Sequence, residues 1–468
     1  MSFIVYDLIF LVVFVLVAGI LLYRDKKNVK RQGIMILYHS KFGVKFIDRF
    51  AKRFEKILKP MQYLVVTSGY ILMVSIVWLI VVSVYKYVTS PIPRELQNVP
   101  PIAPLIPYFP ALFNLESIFP PLYFTYFIIA LAIVALSHEF AHGIFMRLNK
   151  IDVKTTGLAF LGPFFGAFVE PDEKQMNKSK KFPQLAVLAA GTFANVVMTV
   201  VFLGILAVFF MFSFSPAGVN FNAYPQAVVN VDNIDSVNGI LFSDIENISA
   251  VANEDLNEIS VGDNKYLVPR GSLELSEATG NSQIVVFEDA PAVREGIHSP
   301  IVEIANERVT SRAELSARLA DFSPGERIEV VILEDGKRVV KNIELGDRNG
   351  NAYLGVGFIE PQNNNVVSSL IGIYYSIKDP LVYYEPSWDG DFVVFIFDLL
   401  WWIVVINVLV ALFNMLPVSI LDGGRFFYLT VWGITGKEKI GIFAYKAATW
   451  AILGLLVLMT VRWVFVFF

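Results

Sequence analysis

Six long apolar runs restrict what this chain can become: Phe3–Leu22, Tyr63–Val84, Tyr123–Met146, Leu185–Phe212, Phe392–Met415 and Ile440–Phe468. A helix needs about 20 apolar residues to cross a hydrocarbon core, and each run supplies them. The backbone must satisfy its own polar groups in lipid, so each run is expected to be helical. Charged residues make up only 17 % of the 468, against about 25 % in an average soluble chain. Disorder, a collagen-like fibre and a coiled coil are excluded on the same composition. The expected fold class is a polytopic α-helical membrane protein with about six transmembrane helices. The first run is expected to stay in place as an anchor. Met1-Ser2-Phe3-Ile4 has no basic segment, and no small-residue cleavage site follows the run.

Lysine and arginine in the short loops give the orientation. Residues 23–62 carry twelve, residues 89–118 carry one (Arg94), and residues 147–182 carry seven. The 23–62 and 147–182 loops are therefore expected in the cytosol, with both termini outside. Residues 213–391 then fall outside, with 28 acidic and 12 basic residues, a net of 12 − 28 = −16. Four regions follow: 1–118 with two spans and a basic loop, 119–212 and 392–468 as two halves of a membrane core, and 213–391 as an acidic extracytosolic domain.

Within that domain, Ala290–Ile297 reads as a short helix ended by glycine. Pro300–Ile304 and Arg327–Leu333 read as strands, Ser311–Leu319 has helical spacing, and Asp335-Gly336 signals a tight hairpin. This order of elements resembles a PDZ domain. Residues 225–284, rich in Asn, Asp and Ser, read as a strand-rich first half or an insertion. The net charge of −4 leaves no general basic footprint, so no nucleic-acid partner is expected.

The third run contains His138-Glu139-Phe140-Ala141-His142. On a helix, positions i and i+4 share a face, so both imidazoles can grip one zinc ion while Glu139 handles the proton of its water. From this composition about 0.003 such matches are expected by chance. With the helix beginning near Pro121, His138 lies 17 residues along it, roughly 26 Å at about 1.5 Å per residue, near the far face of the membrane. Ionisable groups inside a span are costly without partners or a function.

A catalytic zinc takes three protein ligands and keeps one open position. Cys is absent and His numbers four, so the third ligand is sought among His39, His298 and the carboxylates. His39 and His298 read as ordinary loop and surface histidines. Asp422 is the better candidate. It follows the fifth run in Asn414-Met415-Leu416-Pro417-Val418-Ser419-Ile420-Leu421-Asp422-Gly423-Gly424, on the side that the third run also reaches with its histidines. Pro417 is expected to end the helix, and Gly423-Gly424 to let the backbone turn tightly.

These residues give the chain a family likeness. His138-Glu139-x-x-His142 in one span, Ala190-Gly191-Thr192-Phe193-Ala194-Asn195 in the next, and Asn414-x-x-Pro417-x-x-x-Leu421-Asp422-Gly423 at the end of a later one resemble the site-2 proteases, intramembrane zinc metalloproteases. The resemblance covers roughly residues 119–212 and 392–430 and extends to the PDZ-like insert. It implies a Zn2+ ion held by His138, His142 and Asp422, with Glu139 as general base. Asn195 would bond near the scissile carbonyl, and Asn414 would position substrate or cap its helix. The family often places Pro between the Gly and the Asn of the second motif, where this chain has Thr192 and Phe193. Residues 155–171, apolar and glycine-rich but too short to span, resemble the family's re-entrant β-loop, whose edge can pair with an extended substrate.

The function implied is hydrolysis of peptide bonds in or near transmembrane segments of membrane-protein substrates, in a prokaryotic cell membrane, with the active site toward the cytosol and the PDZ-like domain outside. The lipid bilayer is the other expected partner, and the oligomeric state is left open. Three alternatives compete. A transporter predicts internal repeats and polar groups at the midplane, and neither is evident. A non-catalytic PDZ-containing scaffold has no need of Glu139 between two histidines at ligand spacing. A zinc-dependent lipid hydrolase shares the chemistry and differs in the bond cut. Asp398, Lys446 and Arg462, also within apolar runs, receive no role.

Overall fold

The structure is a computed structural model that describes residues 3–89, 105–116, 119–244, 255–279, 282–334, 336–359, 372 and 375–467. Arg94 and Asp335 of the sequence reading lie outside the described residues. The chain divides into two compact units: Met1–Phe209 with Asp391–Phe468, and Phe210–Gly390.

The first unit opens with α1 (Phe3–Arg24), the hairpin β1 (Val29–Gln32) and β2 (Met35–Ser40), then α2 (Phe42–Arg53) and α3 (Glu55–Thr89). A short α4 (Phe109–Leu112) precedes α5 (Phe124–Leu148), which carries the His-Glu-His motif. The strands β3 (Val153–Leu161) and β4 (Phe164–Pro171) follow, then α6 (Glu173–Lys178) and α7 (Lys181–Ser213). Strands 1 to 4 form one antiparallel sheet in that order. The glycine-rich 155–171 segment is thus a hairpin, with Leu161 paired to Phe164 across Gly162 at φ +60°. The basic stretch 23–62, expected as a loop, instead supplies half of that sheet and a whole helix.

The second unit holds β5 (Phe214–Val219), β6 (Gln226–Asn230), β7 (Ser236–Val237), β8 (Ile240–Leu241), β9 (Leu256–Val261), β10 (Asn264–Pro269), α8 (Arg270–Thr279) and β11 (Gln283–Glu288). It continues with α9 (Pro291–Arg294), β12 (Ile301–Ile304), β13 (Glu307–Arg308), α10 (Arg312–Leu319), β14 (Arg327–Glu334), β15 (Lys337–Glu344), the short pair β16 (Gly346–Arg348) and β17 (Asn351–Tyr353), and β18 (Val382–Pro386). Among the described residues two six-stranded sheets result, ordered β6-β11-β10-β9-β7-β8 and β15-β14-β12-β5-β18 with β13 on β12, and β16 pairs with β17 apart from them. Each has its own core, around Val237, Ile259 and Val286 in the first and Ile301, Val330 and Ile332 in the second. Glu334 pairs with Lys337, and Gly336 just before that strand takes a φ of +75°. Ser311 caps α10 by accepting the Glu314 N–H.

The chain returns to the first unit as α11 (Gly390–Asn414), α12 (Asp422–Thr435) and α13 (Glu438–Phe467). Among the described residues, α1, α3, α5, α7, α11 and α13 have the length and apolarity to cross a membrane. These spans and the β-rich second unit are the architecture of a polytopic membrane protein with a β domain. Helix α11 stops at Asn414, three residues before Pro417, as the proline requires. The unit's core lies where α2, α3, α5, α7 and α12 meet, with Ile47, Val66, Met146, Ala189 and Phe426 buried together. Small residues allow this closeness: a Cβ on Gly69 of α3 would lie 2.9 Å from the Ala189 side chain.

Helix α5 begins at Phe124 rather than near Pro121, because residues before Pro120 and Pro121 favour extended backbone. His138 is then 14 residues along, at about 21 Å, so the motif sits deeper in the span than the sequence implied. Its opening N–H groups are satisfied from another helix. Asp7 of α1, 1 % exposed, accepts the Phe124 and Thr125 backbone N–H groups at 2.8 Å each, the Thr125 hydroxyl at 2.6 Å and the Tyr108 hydroxyl at 2.5 Å. A carboxylate at a helix N-terminus meets both the unpaired donors and the positive end of the dipole. Further along α1, a cavity of about 570 Å³ is bordered by its Leu21 and Leu22 and by Tyr38 and Leu158 of the sheet, while the Phe14 and Phe165 rings lie 6.1 Å apart at its edge.

Candidate metal centre

His138 and His142 lie one turn apart on the buried face of α5, both under 10 % exposed. Their Nε2 atoms are 3.0 Å apart. Asp422, the first residue of α12, brings Oδ2 to 3.3 Å from His138 Nε2 and 3.2 Å from His142 Nε2. Three donors from two helices distant in sequence thus form a nearly equilateral triangle. A tetrahedral zinc with bonds of about 2.0–2.1 Å holds its ligand atoms about 3.3 Å apart, so the triangle has the size such an ion needs. Burial alone would raise the Asp422 carboxyl, but the His142 and His138 imidazoles outweigh it and hold the group below the ordinary carboxylate range.

The far side of each ring is held as well. His142 Nδ1 donates to the Val187 carbonyl of α7 at 2.7 Å, which leaves the Nε2 lone pair facing inward. His138 Nδ1 lies 3.0 Å from Asn195 Nδ2, and Asn195 Oδ1 is a buried oxygen with no partner. A metal on His138 Nε2 places the ring proton on Nδ1. A half-turn of the Asn195 amide gives that proton Oδ1 as acceptor and removes the orphan. The environment of Asn195 is thus that of a residue orienting His138, whereas the resemblance implied a place beside the scissile carbonyl. Asn195→Ala should weaken zinc binding about 10- to 100-fold, and Asn195→Asp, which restores an acceptor, should recover most of the loss. Competition against a chromophoric chelator measures both. Unchanged affinity in the alanine variant would contradict the orienting role.

Glu139 points from α5 toward β4, where its Oε2 accepts the Val169 N–H at 3.0 Å. It belongs to the cluster His138, Glu139 and His142, whose ligand atoms fall within 4.8 Å of one another. As a third ligand Asp422 is better placed, being within 3.3 Å of both rings, while Glu139 is committed on one oxygen to the strand. A pocket of about 290 Å³ opens on this group and is lined by His138, Glu139, Gly166, Ala167, Asn414 and Asp422.

The other sequence candidates fall elsewhere. His39 is not in a loop but on β2 opposite Gly157, its ring 5.2 Å from Phe168. His298 belongs to the second unit, exposed, with Nδ1 2.7 Å from the Gly296 carbonyl. Gly423 and Gly424 do not make a turn. Both lie in α12, and what requires glycine is space: a Cβ would fall 2.3 Å from the Met415 carbonyl carbon and 2.3 Å from the Val418 oxygen, respectively. Gly191 is the residue whose role only the fold reveals. Its α7 backbone passes so close to the rings that a Cβ would lie 2.4 Å from His142 Nε2 and 2.6 Å from His138 Nε2.

Comparison with known proteins bears on this geometry. A protein of Methanocaldococcus jannaschii, itself uncharacterized, is 30 % identical over 193 residues, 39 % of this chain and 47 % of its own length. The chain thus spans about half the length of that curated relative. The family model of peptidase family M50 matches residues 126–460, well over half of the chain and inclusive of every donor above. The chain belongs to peptidase family M50, the site-2 protease family of zinc metallopeptidases.

Proposed function

We propose that this protein hydrolyses peptide bonds in or beside the transmembrane segments of other membrane proteins, as an intramembrane zinc metalloendopeptidase. The observation that carries the reading is the triangle of His138, His142 and Asp422 donors, with Glu139 beside it and a pocket in front. Those three residues would hold the zinc. Bound there, zinc supplies a Lewis acid for the carbonyl and lowers the pKa of its water toward about 7. Glu139, steadied by the Val169 N–H through Oε2, keeps its other oxygen to take the proton of the attacking water and pass it to the leaving amine.

A helical peptide bond is shielded by its own hydrogen bonds, so the substrate must be held extended. Strand β4 suits this task. It ends the sheet, has a strand partner on one side only among the described residues, and its Gly166 and Ala167 line the pocket. In this reading β3 and β4 re-enter the membrane, shielded by protein, and a peptide adds to β4 as a further strand. The loop charges support a cytosolic-side active site and an external second unit, and the family resemblance supports a prokaryotic cell membrane. The run from α9 through β15 supports a PDZ-like fold there, serving as a substrate filter.

The test sets a membrane-span peptide against a lipid ester, both with the purified chain, with and without chelator, alongside elemental analysis. Bound zinc and chelator-sensitive cleavage of the peptide are expected. Ester hydrolysis without peptide cleavage would overturn the reading in favour of a lipid hydrolase, and neither activity on a zinc-loaded chain would favour a scaffold.

A further inference from the structure

We propose that α2 and the cleft beside it form a binding site for the phosphate headgroups of anionic lipids. The helix has three faces. Gly43, Ile47 and Ala51 are buried. A Cβ on Gly43 would meet Thr156 Oγ1 of β3 at 2.6 Å, and the Ile47 Cδ1 sits 2.6 Å from where Gly143 of α5 would carry one. Helix α2 is therefore clamped onto both the catalytic helix and the sheet.

The second face is apolar and bare. Phe42 is 83 % exposed and Phe46 51 %. The Phe46 ring stacks on Phe50 at 6.1 Å and meets Phe140, the neighbour of Glu139, edge-on at 5.3 Å. The third face carries Lys45, Arg49 and Lys52 together with Asp48, all exposed. A helix with aromatic residues on one side and cations on the next is built to lie in the headgroup layer, its rings at the acyl boundary.

The adjoining cleft supplies the second observation. It encloses about 310 Å³, framed by Lys52, Lys59, Arg147 and Lys150 with Asp48 and Glu55. Both carboxylates are already matched, Asp48 to Arg147 at 2.5 Å and Glu55 to Lys59 at 2.6 Å. Arg147 also pairs with Asp152, while Lys52 and Lys150 form no ion pair among the described residues, so the cleft keeps a positive charge. Lys52 belongs to both the helix and the cleft, which makes them one surface: rings for the acyl chain, cations for the phosphate. That pairing favours a lipid over a free phosphate, since a free anion has no use for Phe42 and Phe46.

Native mass spectrometry of the full chain, titrated with phosphatidylglycerol or phosphatidylcholine, reads the site without any cleavage assay, so its outcome is distinct from that of the peptidase reading. Phosphatidylglycerol should be retained preferentially. Lys52→Gln with Lys150→Gln should weaken that retention about 25-fold, at about fivefold per cation near an anionic surface, while the paired arginine substitutions keep it. Both lysines are exposed, so the variants should unfold at the wild-type temperature. Equal retention of the two lipids, no effect of the double glutamine variant, or displacement of phosphatidylglycerol by equimolar inorganic phosphate would each overturn the proposal.

Discussion

Gly191→Ala should empty the metal centre. The new methyl group would stand 2.4 Å from His142 Nε2 and 2.6 Å from His138 Nε2, in the space where both rings aim their lone pairs. It is borne on backbone, and α7 cannot retreat, because Ala186, Ala189 and Ala190 are wholly buried against neighbouring helices. The rings must swing aside instead. A displaced ligand costs more than a lost orienting bond, so zinc affinity should fall by at least about 100-fold and cleavage with it. Gly204→Ala is the control: it lies on the same helix with nothing within 4 Å of its would-be Cβ, and it should bind zinc normally. Wild-type zinc content in the Gly191 variant would mean that the metal is held elsewhere.

Glu139→Gln should separate metal binding from chemistry. Glutamine keeps the shape and an oxygen for the Val169 N–H, so β4 should stay in place. His138, His142 and Asp422 are untouched, and zinc should be retained at the wild-type level. The amide cannot accept the water's proton, and the rate should fall about 10²- to 10⁴-fold, the usual worth of a positioned base. Asp422→Asn should do the reverse and lose the metal first. Near-normal cleavage by the Gln variant would remove Glu139 from the mechanism.

Much of this architecture was legible in the sequence because lipid imposes a simple grammar: long apolar runs, and polar residues only where something needs them. His138 and His142 were readable from helical spacing, and Asp422 from its place at the end of a run. The strands β1 and β2 and the helix α2 were not, because twelve cations between Arg24 and Lys59 read as a solvated loop. Their apolar positions, such as Ile47 and Ala51, show their value only against Gly143 and the sheet. The glycines were visible, but their reason was not: Gly191 is fixed by two imidazoles about 50 residues earlier in the chain and Gly423 by the carbonyls of Met415 and Leu416, not by local backbone angles. Asp7 left a trace, a carboxylate inside an apolar run. What it bonds are backbone N–H groups 117 and 118 residues away, for which no sequence signal exists.

That carboxylate has a mechanical consequence. Helix α1 is fastened near its start by four hydrogen bonds at Asp7 and just past its finish by Asp25, which accepts the Tyr38 hydroxyl at 2.8 Å, while Leu21 and Leu22 border the 570 Å³ cavity. A rod tied at both tips has no loose end to swing. Closing the volume beneath it would therefore have to strain one tie or the other.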